Sequence, residues 1–161
     1  MPVSEVSAWL YATPVSTHLR DADWIVPTVQ SIHIVAIAIL MGSSIVLNLR
    51  LAGLMARTDS APVVRQRYLP WLWAALAVLL MTGLVLVIAE PDRVLGNWVF
   101  WTKMLLVVVA FITTVTIRVP MRDDFAAKAG AWRIIAKPLA VLSLIMWVLV
   151  IVCGRWIAYA L

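Results

Sequence analysis

The stretch VPTVQSIHIVAIAILMGSSIVLNLRL, residues 26–51, is almost wholly apolar and holds a single histidine, His33, near its start. It is long enough to cross the hydrocarbon core of a bilayer, which takes roughly 20 helical residues. Three more runs of the same kind follow, so the chain reads as four spans at about 27–49, 70–89, 98–117 and 138–159. The expected fold class is all-α: an integral membrane four-helix bundle with a short N-terminal interfacial helical segment.

Composition supports that class. The chain has 161 residues, 64% of them hydrophobic and 13% charged, whereas a soluble domain is about half apolar and a quarter charged. The connections between spans are too short to hold a separate soluble domain. Two regions are expected, an interfacial outer-face segment over 1–26 and the transmembrane bundle over 27–161. The segment SEVSAWLYATPVSTHLRDADW, residues 4–24, lacks the basic start and continuous apolar core of a secretory signal peptide. Its mixture of aromatic and polar residues suits one or two short helices lying on the membrane face, broken near Pro14, with Ser4 and Asp21 as N-caps.

Charge sets an expected orientation. Arg50, Arg57, Arg65 and Arg67 lie between the first two spans, and Arg118, Arg122, Lys128, Arg133 and Lys137 lie between the last two. The remaining connections offer only Arg20 and Arg93. The positive-inside rule puts both basic loops in the cytoplasm of a bacterial inner-membrane protein and both termini in the periplasm. The net charge of +5 is then a topology signal facing the lipid bilayer, with anionic lipid as its partner, and nothing points to nucleic acid. Trp24, Trp98, Trp101, Trp156 and Tyr159 form one aromatic belt; Tyr68, Trp71, Trp73 and Trp132 form the other. Cys153 stands alone, which excludes an intramolecular disulfide.

Polar residues within the spans concentrate in the outer half. His33 lies in the first span with Gln30 a turn above it, Glu90 ends the second, Lys103 lies early in the third and Arg155 late in the fourth. Lys103 and Arg155 are long enough to snorkel to the interface. Imidazole is short, which leaves His33 three readings: a histidine satisfied by Gln30 or a neighbouring helix, a metal or haem ligand, or a group in proton transfer or some other role. A bare zinc or copper site needs several closely spaced ligands, and the chain has two histidines and one cysteine. Haem needs only one or two axial ligands, an apolar slot and cations for its propionates. Ala36, Gly42, Ser43, Ser44, Thr82 and Gly83 are small enough to admit close approach. Lys103, Arg155 and Arg93 are the cations available to propionates, and His18, the second histidine, is the candidate second axial ligand, against an ordinary surface role.

SIHIVAIAILMGSSIVLNLRLAGL, followed by a span containing LLMTGL and another opening NWVFWTKMLLVVV, resembles a group of small four-helix bacterial membrane proteins. More distantly it is similar to the four-helix bacterial protoporphyrinogen oxidase family and to the membrane domain of copper resistance protein D. The resemblance covers about residues 26–118 and implies a haem b site in which His33 and Lys103 match the family's first-helix histidine and third-helix lysine. The chain departs from the oxidase pattern in lacking the tryptophan of an ISW segment and in ending its first helix with NLRLAGL. The resulting expectation is a membrane haem b protein for electron transfer or redox chemistry near the periplasmic face, exchanging electrons with quinol, a periplasmic redox partner or a larger membrane complex. Two alternatives stay open: a haem-free accessory subunit of a larger complex, and a small transporter.

Overall fold

The computed structural model describes residues 3–51, 61–118, 130–157 and 159. Within them the chain forms α1 (Val3–Tyr11), α2 (Pro14–Asp21), α3 (Ile25–Leu51), α4 (Ala61–Ala89), α5 (Pro91–Leu95), α6 (Trp98–Arg118) and α7 (Gly130–Trp156), with no strand among the described residues. Four of these, α3, α4, α6 and α7, are long and apolar enough to cross a bilayer, which makes this a multi-pass membrane protein with an all-α bundle. Large apolar side chains such as Leu80, Leu105 and Ile34 point outward, as they do when lipid rather than water surrounds a bundle.

Two antiparallel pairs build the bundle. α3 packs along α4, α6 packs along α7, and α3 against α7 joins the pairs. The helices meet in a layer of Leu40, Ala75, Ala110, Trp147 and Val150, one or more from each span, with Met41, Leu79, Leu106 and Met146 packed around it. Alanines at Ala75 and Ala110 let backbones approach, and dispersion between close helices is the main attraction available in lipid. Toward one end lies a seam of buried hydroxyl and amide groups. Trp147 Nε1 donates to Thr114 Oγ1 at 3.1 Å, Ser143 Oγ lies 3.4 Å from the same hydroxyl, and Asn48 Nδ2 donates to Ser44 Oγ at 3.1 Å. That half of the membrane is therefore less apolar than the charged residues alone suggest. Hydropathy overlooks Ser and Thr, which satisfy themselves within or between helices.

The other end is capped by the short helices. α1 packs on α5, and α2 packs on α4 and α3. The break expected near Pro14 is present, with Pro14 at the first turn of α2, where its missing N–H costs nothing. The caps differ from expectation. Thr13 is the N-cap of α2, its hydroxyl accepting from Ser16 N at 3.3 Å. Ser4 instead lies inside α1, where its carbonyl accepts from Ser7 Oγ, and Asp21 is the last residue of α2. Arg20 ties α2 back to α1 through Tyr11, donating to its carbonyl at 3.1 Å and lying 3.5 Å from its ring centroid.

Two helices begin before the expected span starts. α4 starts at Ala61 and carries Pro70 inside it, and α7 starts at Gly130 and carries Pro138. Both prolines had looked like span starts. Membrane helices tolerate them because neighbouring groups re-satisfy the freed carbonyls. Trp147, outside either aromatic belt, is 3% exposed and belongs to the core. Arg57, Arg122 and Lys128 of the expected basic loops lie outside the described residues.

Candidate functional site

His33 sits two turns into α3, facing α4. Its Nδ1 lies 2.7 Å from Thr82 Oγ1. Threonine has one hydroxyl proton, and Thr82 gives it to the carbonyl of Val78 one turn back, at 2.6 Å. With its proton there, the hydroxyl accepts from a His33 Nδ1–H, the tautomer whose Nε2 carries the lone pair. Among the described residues Nε2 has no hydrogen-bond partner. A Cβ at Gly83, next to Thr82, would make an ordinary contact with His33 Cε1 at 3.8 Å, so the ring does not require a glycine there. Gly42 faces open space around the position of its missing side chain.

Lys103, little more than one turn into α6, is the second ionisable group at this level. It is half-buried, within electrostatic reach of His33, and makes no ion pair among the described residues. Its ammonium occupies the space that a side chain at position 154 would take: a Cβ on Gly154 would lie 3.3 Å from Lys103 Nζ. The glycine thus lets an amine from α6 lie against the backbone of α7. Cys153, beside it, is a free half-buried thiol.

The other expected site residues lie elsewhere. Arg155 turns outward, donating to the Tyr159 hydroxyl at 2.8 Å, the snorkelling geometry of a cation near a helix end. Arg93 pairs with Glu90 at 2.9 Å on the rim. His18 is exposed on α2, and no hydrogen bond joins it to His33 among the described residues. Gln30 is exposed and does not bond the imidazole. Thr82, which does, is visible in sequence only as a small residue beside a glycine.

Above the His33–Thr82 pair is a cavity of about 160 Å³, lined by Val26 and Gln30 of α3, Leu86 and Glu90 at the end of α4, Arg93 and Val94 of α5, and Gly154 and Ile157 at the end of α7. Gln30 is one turn from His33, Leu86 is one turn from Thr82, and Gly154 backs onto Lys103. Below the pair the path closes. Leu40, Ala75 and Ala110 lie two turns, about 10 Å of helix, from His33, Thr82 and Lys103 respectively, and belong to the apolar layer. Chemistry at His33 therefore faces the capped end of the bundle. Among the described residues no group of three or more His, Cys, Asp or Glu could hold a metal ion.

No curated protein and no solved structure matches the chain. The match that exists runs through all four spans and both ionisable groups just described: over residues 24–160 the chain belongs to the family of unknown function DUF6644.

Proposed function

We propose that this protein is a b-type haem protein of the bacterial inner membrane, with His33 as an axial ligand, that passes electrons near the periplasmic face. The observation that carries the reading is the state of His33: one ring nitrogen is held by Thr82 and the other is left as an unpartnered lone-pair donor. Histidines that bind iron through one nitrogen commonly donate the other N–H to a second group, which fixes the tautomer and the ring plane. The donor chemistry thus fits. The neighbouring cavity is smaller than the roughly 300–1,000 Å³ of pockets that hold ligands of drug size, so the fit rests on the donors and not on a preformed slot. When bound, the haem supplies one-electron redox chemistry.

The chain's own groups then have separate tasks. Thr82 orients the imidazole. The Lys103 ammonium is the cation available to a propionate, and the apolar layer keeps the site from the opposite side of the membrane. That layer also weighs against the small-transporter reading, which needs a polar path from face to face. The resemblance of residues 26–118 to the protoporphyrinogen oxidase family supports the same pair, His33 and Lys103, and the basic loops support periplasmic termini.

The test is the absorption spectrum of the detergent-solubilised protein, produced in cells supplied with a haem precursor. A Soret band, with b-type α and β bands after dithionite reduction, is expected. A colourless, folded preparation refutes the haem reading and leaves the accessory-subunit reading, in which His33 is an interhelical hydrogen-bonding group.

A further inference from the structure

The cavity at the capped end has chemistry of its own. Four elements meet there, and their side chains separate into two kinds. Val26, Leu86, Val94 and Ile157 form apolar walls, while Gln30, Glu90 and Arg93 supply the polar edge. Glu90 and Arg93 are joined at 2.9 Å, so the lining carries no excess charge with which to hold an ion. The Gln30 amide has no hydrogen-bond partner among the described residues and offers both donors and an acceptor. Glu90 keeps acceptor capacity beyond its one bond to Arg93. A neutral, partly apolar molecule with hydroxyl or carbonyl oxygens suits this lining; a carboxylate, phosphate or ammonium does not.

Size narrows the class. An apolar cavity of about 150 Å³ is sufficient for benzene, and the cavity here is about 160 Å³. It admits one six-membered ring with its substituent oxygens, and its open side leaves room for a chain to extend from the ring. Its level matters too, because it lies at the ends of α3, α4 and α7, where a ring on a lipid tail is held at the membrane interface.

We propose that this cavity binds the neutral ring of a benzoquinone or hydroquinone, with one ring oxygen at the Gln30 amide, the second hydroxyl of a hydroquinone donating to Glu90, and the ring face against Leu86, Val94 and Ile157. The inference goes beyond the reading of His33 and does not rest on iron, since His33 is not among the lining residues. The same ring chemistry has two sources: a membrane quinone carrying a long apolar tail, or a water-soluble quinone without one.

The experiment is photoaffinity labelling of the full-length protein in lipid nanodiscs, with and without added haem. One probe is an azido-benzoquinone with a decyl tail, and the other is the same ring without the tail. Labelled peptides are mapped by mass spectrometry. Expected is labelling confined to the ends of α3, α4 and α7 and to α5, competed by decyl-hydroquinone but not by decanoate or decyltrimethylammonium. Stronger labelling by the tailed probe assigns a membrane quinone; equal labelling assigns a soluble one. Gln30→Leu, a substitution that a membrane helix accepts, should raise the concentration for half-labelling about fivefold, the loss of one hydrogen bond of about 1 kcal/mol. Val94→Phe, on the short surface helix α5, should abolish labelling by filling the space. Labelling elsewhere on the bundle, labelling insensitive to both variants, or competition by decanoate overturns the proposal. None of these outcomes depends on the spectrum, so a haem-free protein that labels at the cavity would sink the His33 reading alone.

Discussion

At the scale of single residues, the informative pair is His33 and Thr82. His33 was legible in the sequence because imidazole stands out in an apolar span. Its partner was not, because a threonine there reads as one more small helix-packing residue, and only the fold brings two positions so far apart in the chain within 2.7 Å. Thr82→Val keeps the shape of the side chain and removes the acceptor. The bundle should lose about 0.6 kcal/mol, the average for an interhelical hydrogen bond in a membrane. Haem affinity should fall further, by about 10- to 100-fold, as for other lost partners of metal-bound histidines. Titration of the apo-protein with haem measures it; unchanged affinity would show that Thr82 does not orient the ligand. Lys103 was also legible, whereas its neighbour Gly154 was not. The close approach appears only once the amine is seen 3.3 Å from where a Cβ would stand.

Elements were read well where hydropathy alone decides and less well at their ends. All four spans lie where apolar runs were found, but Pro70 and Pro138 fall inside helices and not at their starts. Proline marks a boundary in water more reliably than in lipid, where the competing hydration of a broken helix is missing. The N-terminal segment was expected as helices with a break, and its cap was misplaced. Thr13 precedes a proline that can occupy the first turn, a start signal as good as Ser4 or Asp21. Thr13→Ala should therefore loosen the first turn of α2 by about 1 kcal/mol, visible as roughly fivefold faster amide exchange at Ser16. No change at Ser16 would mean that packing on α4 holds the turn without its cap.

Over the whole molecule, polar groups and apolar layers alternate along the bundle axis: capped-end cavity, His33–Thr82 with Lys103, the Leu40–Trp147 layer, then the hydroxyl seam. Polar and charged residues marked the outer half in which the first two levels lie, but the cavity itself was not legible among them. The seam stayed hidden because serine and threonine barely register as polar in a span. Four spans put both termini on one side, and in the orientation proposed from the arginine and lysine distribution that side is the periplasm. Cysteine tags at both ends should react with an impermeant maleimide in intact spheroplasts; reaction only after lysis would invert the orientation and place His33 toward the cytoplasm. The central claim is that the unpartnered nitrogen of His33 binds haem iron, and haem content per protein in His33→Ala tests it most directly. Alanine is at home in a membrane helix, so the variant should insert and purify like the wild type with its Soret absorbance lost. A His33→Ala protein that retains full haem content and an unaltered spectrum would contradict the account.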